Sequence, residues 1–196
     1  MKNLTELWKA YDNGVFGQQE LQYLSWHIEN NKDPRSAMSM ATDIGLKQVG
    51  SIIAKHLDHP DWSIREFTLG CLLKRLKISE YAEEAFRMAT SDIDEGVKST
   101  AISCLGSILD NLDKSLQQKI GSYIYSVIIN KEYDTWYRRG AYDAVTSAME
   151  VPIPQRRYLG INNFDYQVDY DFLKDFCKKY QVSLDGNLGG SKNAMS

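Results

Sequence analysis

Apolar residues recur every three or four positions along most of the chain, a pattern that predicts helices almost throughout. An opening pair of helices is predicted over residues 4–11 and 18–30, where large apolar side chains fall on one helical face. A turn that ends at Pro34 separates this pair from a short helix predicted over residues 36–42. Only four prolines interrupt the 196 residues, so the pattern favours an all-α fold.

From about residue 45 the chain becomes repetitive, and three segments align when Asp61, Asp94 and Asp134 are placed in one column. Counted from the aspartate, the third position is apolar, the fourth cationic, the seventh and tenth small, and the eleventh apolar. In the same order these columns hold Ile64, Val97 and Tyr137; Arg65, Lys98 and Arg138; Thr68, Ala101 and Ala141; Cys71, Cys104 and Ala144; and Leu72, Leu105 and Val145. These offsets trace one face of a helix.

The recurring aspartate is interpreted as a helix N-cap, where its carboxylate accepts backbone N–H groups that have no partner within the helix. The cation four positions later can pair with an aspartate of its own or of a neighbouring repeat. Small residues in the middle of the helix let adjacent helices approach closely. An apolar-periodic helix precedes each capped one, within residues 46–57, 81–89 and 116–128, so the predicted unit is a helical hairpin.

Two prolines follow the third unit and cannot continue a helix, so an irregular connection is predicted there. A last helix over residues 169–180 is expected to cap the open end of the stack. Residues 186–196 are mostly Gly, Asn and Ser, which predicts a disordered tail. Residues 1–185 are therefore expected to form one helical-repeat domain, with its clearest repeats over residues 45–150.

Composition and charge narrow the classes of function. A chain with 43% hydrophobic and 25% charged residues is expected to fold. Its 26 acidic residues outnumber the 23 basic ones, so no large positive field favours nucleic acid as a partner. The sequence has no signal-peptide core, no stretch that would span a membrane, and three widely spaced cysteines that suit reduced thiols. A cytoplasmic location without membrane contact is expected.

The sequence offers little catalytic or metal-binding chemistry. His56 and His59, with Asp58 between them, could place two imidazoles near a metal ion, but no further ligand cluster accompanies them. Cys71 and Cys104 hold equivalent repeat positions, which favours buried packing over nucleophilic chemistry. Nucleotide-binding glycine motifs and hydrolase motifs do not occur in the sequence. We therefore expect no enzyme activity, no cofactor and no metal.

Residues 59–65, with the sequence HPDWSIR, resemble the start of the second helix in HEAT repeats, where an aspartate-containing turn precedes a Val-Arg pair and spaced alanines. Residues 94–98 and 134–138 are similar, and the resemblance extends over residues 45–150. It implies a right-handed α-solenoid of HEAT-like hairpins with a C-terminal capping helix. The uneven spacing of the three aspartates leaves an armadillo-like variant open.

In the HEAT family the second helices line the concave face, which is a surface for binding other proteins. The resemblance implies partner contacts near the starts of these helices, at Trp62, Glu66, Glu95, Trp136 and Arg139. The alternative is that the two tryptophans staple their turns to the neighbouring repeat. A second, acidic and aromatic group would suit a basic partner, with a solvated rim as the alternative. Its members are Tyr133, Asp165, Tyr166 and Asp169.

Small acidic helical-repeat proteins of this type are similar to some bacterial immunity proteins, which bind and occlude a cognate toxin. The expected function is therefore binding of another protein, such as a basic toxin nuclease, and a generic adaptor or scaffold is the alternative. HEAT-like DNA glycosylases are a second alternative, because they are also small solenoids. They need a basic track for a duplex, for which the sequence offers a cluster of Arg138, Arg139, Arg156 and Arg157.

Overall fold

The computed structural model describes residues 2–156, 159–160 and 163–183, and within these ranges every regular element is helical. The all-α prediction is confirmed, while the predicted tail at residues 186–196 lies outside the described ranges. The described residues form eleven α-helices: α1 Leu4–Asp12, α2 Gln18–Asn30, α3 Arg35–Asp43, α4 Gly50–Ala54, α5 Trp62–Leu69, α6 Ala82–Ser91, α7 Glu95–Gly106, α8 Lys114–Ile129, α9 Thr135–Ala148, α10 Phe164–Gln167 and α11 Tyr170–Lys179. Short 3-10 turns lie at Lys47–Val49, Ser79–Tyr81, Leu109–Asn111 and Ile153–Gln155.

Aspartate caps begin the helices at the positions that the repeat pattern predicted. The carboxylates of Asp61, Asp94 and Asp134 each accept a backbone N–H from the first turn of their helix, at 2.9, 3.0 and 2.7 Å. Asp169 does the same for α11, at 3.0 Å. Each cap satisfies one of the donors that a helix leaves without a partner at its start. The predicted caps are confirmed.

Helices α3, α5, α7 and α9 lie side by side and run in the same direction. Between α5 and α7, Thr100 bonds to Glu66 near the helix starts, and Ser103 bonds to Lys74 further along. Hydrogen bonds between the α3 helix and the α5 segment follow the same order. We call α3, α5, α7 and α9 the parallel layer. Because the four helices are parallel, their first turns all lie at one end of this layer.

Two glycines let α7 and α9 pack backbone against backbone. A Cβ atom at Gly140 would lie 2.7 Å from the carbonyl oxygen of Ser99, and one at Gly106 would overlap the backbone of Ala144. Neither position has room for a larger side chain. Ala144 belongs to the column of small residues that was predicted to allow close approach, so this part of the packing prediction is confirmed.

The remaining helices pack against the parallel layer. Helix α6 packs against α7 and helix α8 packs against α9, as predicted for helical hairpins. Helix α11 packs against α8 and α9. Tyr180, directly after α11, donates to the carboxylate of Asp110 at 2.8 Å and contacts the carbonyl of Ala148 at 3.1 Å. The predicted last helix is confirmed, and it lies against the final hairpin.

Buried arginines join each of two hairpins to the segment that follows it in the chain. Arg65 in α5 donates to both carboxylate oxygens of Asp92, at 2.7 and 3.0 Å, and to the carbonyl of His59 at 2.8 Å. Arg138 in α9 bonds to Asp165 at 2.5 Å and has a side chain that is only 5% exposed. The predicted pairing of the cationic column with aspartates is confirmed for these two arginines.

Three features depart from the repeat pattern. Lys98, the cation of the middle unit, pairs with Glu95 of its own helix at 2.7 Å and not with an aspartate. The predicted second helix of the first unit changes at its end into a π-helical segment, Gly70–Arg75. Lys77 and Glu150, each with a φ of 55°, adopt the left-handed conformation at the second residue after the π-helical segment and after α9, respectively. These turns could not be predicted from the residues at the two positions, because glycine usually occupies such positions.

Candidate binding groove

A groove runs along the exposed face of the parallel layer, across α5 with its π-helical extension, α7 and α9. Two adjoining hollows of about 290 and 300 Å³ share four lining side chains and make the groove continuous. We call its two ends the Trp136 end, which lies next to the first turns of the layer, and the Arg156 end. The complete lining consists of Glu66, Lys74, Ser99, Thr100, Ser103, Trp136, Arg139, Gly140, Asp143, Ile153, Arg156 and Leu159.

Several of these side chains share a face because they occupy two positions of the repeat. The fifth position after the repeat aspartate holds Glu66, Ser99 and Arg139, and the ninth holds Ser103 and Asp143 in the second and third units. Positions four residues apart lie one helical turn apart on the same side. Glu66 and Arg139 of the fifth column were predicted as contact residues from the sequence, whereas neither residue of the ninth column was. The polar character shared by both columns is the signal that would have found them.

The Trp136 end combines an open indole with a guanidinium group. The Trp136 side chain is 45% exposed, and the Arg139 guanidinium lies 4.3 Å from its ring centroid. The carboxylate of Asp134 accepts a hydrogen bond from the backbone N–H of Trp136 at 2.7 Å. The Ser99 hydroxyl donates to the backbone carbonyl of Trp136 at 3.3 Å. The aromatic surface is therefore anchored by its backbone and by a cation–π contact while it stays accessible.

Two half-buried carboxylates lie along the floor of the groove. The Thr100 hydroxyl donates to Glu66 at 3.1 Å. Burial raises the pKa of Glu66, and this hydrogen bond offsets part of the effect. Burial likewise raises the pKa of Asp143, although the charges of three nearby cations act in the opposite direction. Both carboxyl groups therefore take up a proton more readily than exposed acids do.

Lys74 and Arg156, at the Arg156 end of the groove, are held by hydrogen bonds to neutral groups. Lys74, on the π-helical segment, donates to the hydroxyl of Ser103 at 3.0 Å. Arg156 donates to the carbonyl of Val151 at 2.8 Å and to the hydroxyl of Ser147 at 3.1 Å. Lys74 was missed by the sequence analysis, because a lone lysine near a helix end is indistinguishable from a solvated surface residue.

Three predicted contact residues lie at the first turns of the layer, at the same end as the indole of the groove. Trp62 is the first residue of α5 and is 51% exposed. Glu95 is the first residue of α7. Tyr133 lies in the turn before α9, is 40% exposed, and meets Tyr137 edge to face with ring centroids 5.5 Å apart. Trp62, Glu95 and Tyr133 thus border the groove and do not line it.

The last three predicted residues lie elsewhere, around α10. We call Asp165, Tyr166 and Asp169 the C-terminal edge. Asp165 is paired with the buried Arg138, and Asp169 caps α11, so both carboxylates already have partners within the chain. Tyr166 is 93% exposed. The two carboxylates of the acidic and aromatic group expected from the sequence are therefore engaged within the chain, while its two tyrosines are exposed.

The side chains considered for metal binding or nucleophilic chemistry are hydrogen-bonded to the backbone or buried. His56 and His59 each hydrogen-bond to the backbone, at 2.8 and 3.0 Å. Within the described ranges, His, Cys, Asp and Glu side chains nowhere form a group of three that could hold a metal ion. Burial raises the pKa of Cys71 to about 12 and that of Cys104 to about 11, so both thiols stay protonated near neutral pH.

The arginines considered as a DNA track have different environments. Arg138 is 4% exposed and is paired with Asp165, which leaves it inaccessible to a phosphate. Arg139 and Arg156 line the groove, and Arg157 lies outside the described residues. Among the described helices, none has both the length and the apolar character that crossing a bilayer requires.

No protein-family model, curated protein or solved structure matches the chain at a significant level. Its function is therefore argued from the groove and from the parallel layer that forms it.

Proposed function

We propose that this chain is a protein-binding helical-repeat protein whose hairpins stack into a right-handed, HEAT-like α-solenoid. The parallel layer supports this proposal, because stacked hairpins bring their second helices together side by side. The bridge that Arg65 makes from its own hairpin to Asp92 of the next hairpin supports it as well. A layer of this kind offers a partner an extended surface.

The groove carries the functional part of the proposal. At its Trp136 end, an accessible indole and the Arg139 guanidinium are fixed against each other before any partner arrives. Trp and Arg are the residues that most often dominate the binding energy of protein interfaces. Because both groups are already held in position, binding orders them at a lower entropic cost than it would order mobile side chains.

The test compares two tryptophans of similar exposure. Trp136 is 45% exposed in the groove, and Trp26 is 42% exposed on α2. A partner is first captured from the native host with the full chain and identified, and its affinity is then measured with purified proteins. We expect Trp136→Ala to weaken binding by about 30-fold or more, as for an interface hot spot, and Trp26→Ala to change it little. Equal effects of the two substitutions would contradict the assignment of the groove.

A toxin-neutralising immunity protein is the specific form of this proposal that we favour. The net charge of -3 and the exposed Tyr166 on the C-terminal edge suit a basic toxin domain, because complementary charge speeds encounter and an open ring supplies contact area. Co-expression with a toxin domain encoded next to this gene is expected to protect growth, and Trp136→Ala is expected to abolish protection. Binding of a host protein without protection would favour the adaptor alternative.

A further inference from the structure

Cations gather at the Arg156 end of the groove, although the whole chain has a net charge of -3. Lys74, Arg139 and Arg156 line this end. Lys77 lies close to it: burial lowers the pKa of Lys77, and the charges of Lys74 and Arg156 lower it further. Asp143 is the one carboxylate among the described residues that line this end. Three positive charges therefore line this end with a single negative charge, and Lys77 adds a fourth positive charge nearby.

Neutral groups hold three of these cations. Lys74 donates to the hydroxyl of Ser103, Lys77 donates to the carbonyl of Ser107 at 2.8 Å, and Arg156 donates to a backbone carbonyl and a serine hydroxyl. Within the part of the chain that the structure describes, none of the three forms an ion pair. Their charges are consequently left uncompensated by close carboxylates.

Asp143 does not balance this charge. It is half-buried on α9, and burial outweighs the surrounding cations so that its pKa is raised. One carboxylate among three lining cations leaves an excess of positive charge at the Arg156 end. Glu66 lines only the hollow that contains Trp136, at the opposite end of the groove. The groove is therefore electrically polar along its length, with its excess positive charge at one end only.

We propose that the Arg156 end of the groove binds an acidic segment of the partner protein, with a carboxylate placed among Lys74, Arg139 and Arg156. This inference rests on the proposed function and specifies the chemistry of its site. Guanidinium groups suit the role because their paired N–H donors match the two oxygens of a carboxylate. Ile153, 79% exposed at the same end, offers apolar surface to an aliphatic side chain next to that carboxylate. Glu66 repels a second carboxylate at the other end and so sets the direction of the segment.

Two short fluorescein-labelled peptides test the proposal by fluorescence anisotropy against the full chain. One is rich in glutamate with interspersed leucine, and the other has lysine in place of every glutamate. We expect saturable binding of the glutamate peptide that weakens as salt is added, since a partly exposed ionic contact is screened. We expect no comparable binding of the lysine peptide. Tighter binding of the lysine peptide, or no binding of either peptide, would overturn the proposal.

Two substitutions of opposite sign locate the site. Lys74→Glu is expected to weaken binding of the glutamate peptide by about tenfold, and Asp143→Asn to strengthen it several-fold, because each changes the charge beside the incoming carboxylate. A gain of affinity cannot result from misfolding, so Asp143→Asn keeps the test valid even if another variant is unstable. Lys178→Glu, on the exposed face of α11, is the matched control and should leave binding unchanged. Unchanged affinity in both groove variants would refute the assignment.

The natural partner separates this inference from the proposed function. If Trp136→Ala abolishes binding of that partner while Lys74→Glu leaves binding intact, the groove remains the binding site. The proposal that an acidic segment occupies its Arg156 end is then wrong. If neither substitution affects the partner, the groove itself is not the site, and the proposed function fails with the inference.

Discussion

The buried bridge between Arg65 and Asp92 gives the most direct test of how the hairpins are held together. Replacing Asp92 with asparagine keeps the shape of the side chain and an oxygen that can still accept the backbone N–H of Asp94. It removes the negative charge that faces the Arg65 guanidinium at 2.7 Å. The substitution therefore changes charge with little change in packing.

The expected loss of stability follows from the burial of this pair. The two side chains are 10% and 9% exposed, so Arg65 in the variant would remain in a poorly hydrated site without its counter-charge. Removing one partner of a buried pair costs about 3 to 5 kcal/mol, and asparagine should fall near the lower value because it still accepts a hydrogen bond. For a chain of this size, a loss of about 3 kcal/mol lowers the melting temperature by roughly 6 to 12 °C.

The exposed pair of Arg75 and Asp43 provides the control. Its side chains are 42% and 39% exposed, and an exposed ion pair contributes at most about 1 kcal/mol. Unfolding of wild type, Asp92→Asn and Asp43→Asn by urea, followed by circular dichroism, gives the free energy of unfolding of each. Equal, small losses in both variants would refute the view that the Arg65 bridge joins the hairpins.

The same bridge predicts a dependence on pH. Burial alone would raise the pKa of Asp92, but hydrogen bonds from Arg65 and from the backbone of Asp94 bring it below its ordinary value of 3.8. A carboxyl whose pKa is lower in the folded state stabilises the fold above its unfolded pKa, and this contribution is lost as the pH falls through the folded pKa. The difference in free energy of unfolding between wild type and Asp92→Asn should therefore be largest near neutral pH and decrease below pH 3.8. A constant difference across that range would contradict the assignment.

Substitutions at three further positions test local features of the fold by the same unfolding assay. Asp134→Ala should destabilise the chain by about 1 kcal/mol through loss of the α9 cap, whereas Asp134→Asn should retain most of the stability. Glu150→Gly should stabilise by about 1 kcal/mol because φ at this position is positive, and Glu150→Ala should give no such gain. Gly140→Ala should cost about 1 to 3 kcal/mol or more, since the added methyl would press on the carbonyl of Ser99 in α7. A tolerated alanine at Gly140 would show that α7 and α9 can separate.

The repeating columns were sufficient to locate the capped helices of the parallel layer. Asp61, Asp94 and Asp134 were identified as caps because a carboxylate at a helix start has a local physical role that the sequence alone displays. The residues three positions later are buried, as their apolar character implied. Local rules of spacing and capping therefore predicted where these helices begin and which face they bury.

Features that depend on contacts between distant residues were not predictable in the same way. Asp165 was expected to face a partner, but it lies against Arg138, 27 residues earlier in the chain. Asp143 and Lys74 come together only because α7 packs against both the π-helical segment and α9 in the fold. The left-handed turns at Lys77 and Glu150 were not predicted, because lysine and glutamate rarely adopt a positive φ.

The close contact of α7 with α9 also determines how the groove can respond to a ligand. Gly140 lies against Ser99 and Gly106 lies against Ala144. At these contacts, the two helices that carry most of the groove have no flexible side chains between them that could rearrange when the helices move. Sliding or spreading these helices would break backbone contact along most of their length. A bound segment must therefore adjust its own conformation to a nearly rigid floor, and only the rim side chains are left to move.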